Sequence, residues 1–177
     1  MRCASVLGLC VLIATPASAR DAKTWDDASN VGRDVLVVVA LGLPASRGDW
    51  QGDLQAGGSM AGAFLASEGL KQVFPEERPD LSNRKSFPSG HTSVSFAAAA
   101  SLQNRYGWKV GVPAQILAGF VGLSRVEARK HHWYDVLAGA AIGETSGFLI
   151  TSRRNSDVRV IPWGDTRSAG VAMSMQF

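Results

Sequence analysis

The sequence predicts an all-α fold, a compact helical bundle with a short C-terminal β-hairpin. Three observations lead there. A chain of 177 residues is sized for one domain. Its middle holds five stretches of helical length, rich in small and apolar residues and separated by polar turns or a proline-bearing loop. Its tail changes period: Val171, Met173, Met175 and Phe177 alternate with Ala172, Ser174 and Gln176, and a period of two belongs to strands.

The elements follow in order. Met1-Arg2, an apolar run over 6–15 and the small residues Ala17-Ser18-Ala19 make the three-part pattern of a secretory leader over 1–19, cut after Ala19. Both cysteines, Cys3 and Cys10, fall inside it, so the expected mature chain has neither disulfides nor a thiol nucleophile. Residues 20–30 are polar and read as a loose lead-in. An apolar run over 35–45 gives the first helix, stopped by Pro44 and the Arg47-Gly48-Asp49 turn. Residues 50–74 form the second, lined with Ala56, Gly57, Gly58, Ala61 and Gly62, which allow close packing, and Pro75 ends it. A charged loop over 75–89 leads to a third helix over 89–105, then a fourth over 110–124 and a fifth over 133–151. Gly164-Asp165 supplies a turn for a hairpin over 157–177, an appendage to a helical domain at 20–156.

Composition excludes several classes. With 46% apolar and 19% charged residues the chain can offset its ordering entropy, which a disordered tail cannot. The net charge of +3 comes without a Lys/Arg run, so nucleic acid is not an expected partner, and the basic residues suit a small anion. No stretch reaches ~18 uninterrupted apolar residues, and the run over 35–45 would rise only ~16 Å as a helix. The expectation is therefore a bundle packed in water, with peripheral membrane contact left open.

Three polar blocks stand at predicted helix ends, where an antiparallel bundle can bring them together. They are Lys71 with Arg78-Pro79, then Pro88-Ser89-Gly90-His91, then Ser124-Arg125 with His131 and Asp135. Alone, each has a plain structural explanation: a solvated lysine, a cap, a surface pair. Together they fit one task. Helix N-terminal N–H groups at Ser89 and Gly90 and the cations Lys71, Arg78 and Arg125 attract an anion, while two histidines offer a nucleophile and a proton donor.

Lys71-x6-Arg78-Pro79, Pro88-Ser89-Gly90-His91 and Ser124-Arg125-x5-His131-x3-Asp135 resemble, in order and spacing, the three-part signature of the type 2 phosphatidic acid phosphatase (PAP2) superfamily. The resemblance implies an all-α core and a phosphatase without metal or other cofactor, acting on a small phosphorylated compound or a lipid phosphate head group. It implies that His131 attacks phosphorus, that Asp135 orients it through its other ring nitrogen, and that His91 protonates the leaving oxygen and then activates water. Lys71, Arg78, Ser89, Gly90 and Arg125 would hold the phosphoryl oxygens, and Ser124 would be structural. His132 stands at the wrong spacing from Asp135 and reads as an outer or surface group. Three histidines without HExxH are too few for a zinc site. A vanadium-dependent haloperoxidase and a non-catalytic anion- or lipid-binding protein are the alternatives. An exported, periplasmic protein with possible inner-membrane association is expected from the leader.

Overall fold

The computed structural model describes residues 16–154, 158–164 and 168–175. Most of the expected leader, Asp165 of the expected turn and Phe177 lie outside them. The described residues form five helices, α1 (Pro16–Ser46), α2 (Trp50–Val73), α3 (Gly90–Tyr106), α4 (Trp108–Glu127) and α5 (Trp133–Ile150), and two strands. The strands β1 (Val158–Gly164) and β2 (Ala169–Met175) pair antiparallel, with Val158 opposite Met175 and Ile161 opposite Ala172. The class is all-α, as the sequence predicts.

Helix α1 departs from expectation. Residues 20–30 are not a loose lead-in but its first half. The buried stripe of α1 opens with Ser29 and continues through Gly32, Leu36, Ala40 and Pro44 at helical spacing. A stripe that begins with a serine and a glycine carries little hydrophobic signal, although Ser29 is fully buried.

The other boundaries lie close to where local chemistry puts them. Asp49 caps α2 by accepting from Gly52 N–H at 3.2 Å, and the Ser89 side chain caps α3. Gly107, at φ +82°, turns the chain from α3 straight into α4. Helix α3 is central and touches all four others, with Ala97, Ala98, Ala99 and Ala100 fully buried. Its tightest partner is α5. A Cβ added at Gly139 would stand 2.6 Å from Ser89 O, at Gly143 2.3 Å from Ser93 O, and at Gly147 2.4 Å from Ala100 Cβ. Three glycines four residues apart thus give α5 a flat face that meets α3 at backbone distance.

At the far end of the bundle, Arg105 is buried against Asp49, with Nε 2.6 Å from Oδ2, and it also donates to Gln55 Oε1 at 3.1 Å and Ser152 O at 3.0 Å. This ties the α1–α2 turn to α3 and to the end of α5.

The interior is mostly alanine, glycine and serine around Leu36, Met60, Leu102 and Val121, and most other large apolar side chains point outward. Val38, Leu65, Ile116, Leu137 and Leu149 are all more than half exposed. Trp50 and Trp108 rim this apolar girdle at the far end, and Trp133 rims it at the other. A bundle packed in water is expected from the sequence, with membrane contact left open, and here small residues fill most of the centre and leave many large apolar ones outside. Helix α1 over Asp21–Ser46 is long and apolar enough to cross a membrane.

The α3–α5 contact gives a stability prediction. Gly143→Val should lower unfolding free energy by about 1–3 kcal/mol through overpacking. Gly69→Ala, on an exposed face of α2 with open space around it, should be neutral or slightly stabilising. Thermal melts of the two variants check the contrast.

Candidate active site

Antiparallel packing gathers five helix ends at one rim of the bundle, beyond the girdle. They are the first half of α1, the C-terminal ends of α2 and α4, and the N-terminal ends of α3 and α5. Lys71 closes α2, with its ammonium 2.5 Å from Glu68 Oε1. It lies directly against the start of α3, since a Cβ at Gly90 would be 3.1 Å from Lys71 Nζ. Arg125 ends α4, almost fully buried, and pairs with Asp26 of α1. Backbone bonds from Lys130 and His131 N–H to Arg125 O fold the following turn back on α4. A bond from Ser89 N–H to Asp135 O at 3.0 Å then locks the start of α3 to the start of α5.

His131 sits at 2% exposure in the α4–α5 turn. Its Nδ1 is 2.7 Å from Ser86 O, which as a carbonyl can only accept, so Nδ1 carries the hydrogen and the lone pair is on Nε2. The resemblance implies that Asp135 fills this role directly, but its Oδ2 is 3.7 Å from Nδ1. That carboxylate instead accepts from Ser86 Oγ at 2.6 Å and from His132 N–H at 2.8 Å. Asp135 therefore fixes the loop residue that fixes the histidine, and caps α5 as it does so. Ser86 is the member of this chain that sequence spacing does not reveal, because a serine in a polar loop carries no signal of its own.

Charge is unevenly balanced at the rim. Burial, and then the charges of Arg125, Arg33, His131 and Lys71, push the His91 imidazole down to about 3, so it is neutral near pH 7. Burial likewise lowers His131, reinforced by Arg125 and Arg78 and opposed by Asp135. Arg78 Nε and Arg125 Nε are buried with no hydrogen-bond acceptor among the described residues. Unpartnered buried donors are rare, and a row of them suits a ligand with several acceptor oxygens. Ser89 is fully buried, and its hydroxyl accepts from Thr92 N–H and Oγ1–H. What its block offers an anion is the N-terminal end of α3.

The PAP2 superfamily profile matches residues 53–158, more than half of the chain and all three blocks. The chain belongs to the PAP2 superfamily. The lipid A 4'-phosphatase of Helicobacter pylori is 35% identical over 96 residues, 53% of this chain and 48% of that protein. The chain spans less than half the length of curated relatives such as this one. Among solved structures, Aquifex aeolicus LpxE superposes with a TM-score of 0.62 at 20% identity, covering 76% of this chain and 86% of that one. The first transmembrane PAP2-type phosphatidylglycerolphosphate phosphatase from Bacillus subtilis superposes at 0.52 with 27% identity, covering 79% and 78%.

In this PAP2 protein the remaining polar residues of the rim have defined places. Ser124 donates to Phe120 O at 2.8 Å and is fully buried, a helix-internal role. His132 is one-third exposed and reaches Asp135 Oδ2 at 3.4 Å from outside, stacked on Tyr134. Glu76, His132 and Asp135 bring ligand atoms within 4.8 Å of one another, the group among the described residues that could hold a metal ion. Two of its oxygens, Glu76 Oε1 and Asp135 Oδ2, are already engaged, while Asp135 Oδ1 is buried without a hydrogen-bond partner among the described residues. Tyr134 O–H donates to Glu76 Oε1, while Ser86 and His132 donate to Asp135 Oδ2. That pattern suits an orienting network better than a metal cage.

His91 gives a pH prediction whose sign is fixed. It is neutral near pH 7, with its pKa depressed to about 3, and a bound dianion must raise that value. Anion binding should then take up a proton. Sulfate, dianionic across the range, should bind more tightly at pH 5 than at pH 8, by at most about tenfold per pH unit. In His91→Gln the dependence should flatten, as read by calorimetry in buffers of different ionisation enthalpy.

Proposed function

We propose that the protein hydrolyses phosphate esters carried by lipids, through a phosphohistidine on His131 and without a metal. The observation that carries this reading is the pair of buried, acceptor-less guanidinium nitrogens, Arg78 Nε and Arg125 Nε, in the charge field of a histidine whose tautomer leaves Nε2 as the nucleophile. In the first step the Nε2 lone pair attacks phosphorus in line. The P–N bond forms as the bond from phosphorus to the leaving oxygen breaks, and His91 gives that oxygen a proton. In the second step a water oxygen attacks phosphorus and its proton returns to His91. The P–N bond breaks, and inorganic phosphate leaves. Lys71, Arg78, Arg125 and the N–H of Gly90 at the start of α3 hold the three non-bridging oxygens, where charge is greatest in the transition state.

A lipid substrate is supported by where the site stands. The rim lies at one end of an apolar girdle edged by exposed tryptophans, the arrangement of a protein in contact with a bilayer. A phosphate projecting from a lipid surface would meet the cations without leaving it. The relatives named above act, by their names, on lipid A and on phosphatidylglycerolphosphate. The leader pattern adds that the domain over 20–156 is exported and works on the periplasmic side of an inner membrane.

Mutation of the two histidines separates their roles. His131→Ala should abolish turnover and, for every substrate, the trapping of a labelled phosphoenzyme that is acid-labile and alkali-stable. His91→Ala should lower kcat on alkyl phosphates by about 10²–10⁴-fold, and less on p-nitrophenyl phosphate, whose leaving group needs no proton. His132→Ala should keep most activity. Activity should also survive EDTA. Loss on chelation, restored by a divalent ion, would contradict the mechanism and turn attention to Glu76, His132 and Asp135.

A further inference from the structure

Helix α1 lies wholly outside the three signature blocks, yet it delivers polar side chains to the rim at three- and four-residue spacing. Asp26 pairs with Arg125, and Ser29 Oγ is 3.0 Å from the same guanidinium. Asn30 Oδ1 and Arg33 Nη1 each lie 2.7 Å from His91 Nε2. Arg33 is further held by Asp34, whose Oδ1 is 2.9 Å from Nε and 2.8 Å from Nη2. One imidazole nitrogen cannot satisfy both α1 partners in one state. It accepts from Arg33 when it carries a lone pair, and it donates to Asn30 Oδ1 when it carries a hydrogen.

We propose that Asn30 and Arg33 are positioning residues forming an anion-sensitive switch on His91. In the empty site Arg33 donates to Nε2 and holds the ring neutral. An incoming phosphate draws the Arg33 guanidinium toward its oxygens, Nε2 takes a proton from solvent, and Nε2–H donates to Asn30 Oδ1. His91 is then an imidazolium whose Nδ1–H protonates the leaving oxygen. With Nε2–H still held by Asn30, the neutral ring presents the Nδ1 lone pair that takes the proton of the attacking water, which restores the imidazolium. Proton count closes over the cycle, and Asn30 orients the ring in both steps. This inference rests on His91 being the acid and base of the reading above.

The surroundings agree. The groups around His91 are Arg33 and Asn30 from α1, Lys71 with its partner Glu68 from α2, Arg125 from α4, and His131 from the α4–α5 turn. The cations Arg33, Lys71 and Arg125 oppose protonation, and the acids paired with them, Asp34, Glu68 and Asp26, do not reverse that. The depressed imidazole of the empty site is what such a switch requires.

The test uses the full chain in detergent or lipid. Asn30→Leu should lower kcat on alkyl phosphates about 100-fold with KM nearly unchanged, and affect p-nitrophenyl phosphate less. Asn30→Asp should restore much of the loss and move the pH profile upward, because a carboxylate stabilises the imidazolium. Arg33→Met should weaken sulfate binding and raise the pH at which His91 protonates in the empty site. Independently of any variant, nitrogen NMR of the wild-type ring should show Nε2 unprotonated without anion and protonated with saturating sulfate. An Nε2 that stays unprotonated in sulfate, or an Asn30→Leu enzyme with unchanged pH profile and leaving-group dependence, would overturn the switch. Phosphoenzyme trapping at His131 in the same variants keeps the two readings apart, since it should persist in all of them. Its absence from the wild type would instead sink the parent mechanism.

Discussion

The contact on which everything else depends is the backbone-distance approach of α5 to α3. Gly139, Gly143 and Gly147 leave no side chain between the helices, so the start of α5 lies against the start of α3 closely enough for Ser89 N–H to reach Asp135 O. That one bond sets the second block of the signature beside the third. Asp135, placed this way, accepts from Ser86 Oγ, and the Ser86 carbonyl in turn fixes the tautomer of His131. Packing, register and proton placement are therefore one constraint seen at three scales.

The same close packing explains the electrostatics. Small residues bring helix ends together with little volume between them, and the ends carry cations: Arg33 from α1, Lys71 from α2, Arg125 from α4 and Arg78 from the α2–α3 loop. Acids offset several of these, with Asp34 on Arg33, Glu68 on Lys71 and Asp26 on Arg125. Among the described residues of the rim, the two guanidinium Nε atoms stay without acceptors, and Asp135 Oδ1 stays without a donor. An assembly of this kind is stable without ligand and still preorganised for an anion, which is the condition for stabilising charge that develops in a transition state. The far end is the opposite case. There Arg105 is satisfied by Asp49, Gln55 and Ser152, and it serves as a tie between elements.

Much of this was legible in the sequence. Helix ends were readable because they carry their own chemistry: Arg47-Gly48-Asp49 as a turn, Ser89 as a cap, Pro75 as a stop. The signature residues were readable because their spacings are fixed. The first half of α1 was not, because its buried stripe opens with Ser29 and Gly32, and its contribution to the site went with it. The signal lay in the spacing of Asp26, Asn30 and Arg33, which places them on one face of a helix once residues 20–30 are allowed to be helical. The direct Asp135–His131 bond implied by the signature was replaced by a relay through Ser86, a residue whose role depends on tertiary position alone. The outward-facing apolar side chains escaped notice because each apolar run is interrupted, and a belt assembled from several helices has no trace in any single window.

The central claim is that the rim holds a phosphoryl group in line with His131 Nε2. A structure of the protein with orthovanadate, a mimic of the phosphoryl transition state, tests it most directly. The account predicts vanadium facing His131 Nε2, with vanadate oxygens on Arg78 Nε, Arg125 Nε and the N–H groups at the start of α3. Vanadate bound elsewhere, or a metal ion held by Glu76, His132 and Asp135 with the two guanidinium nitrogens still unpartnered, would contradict it.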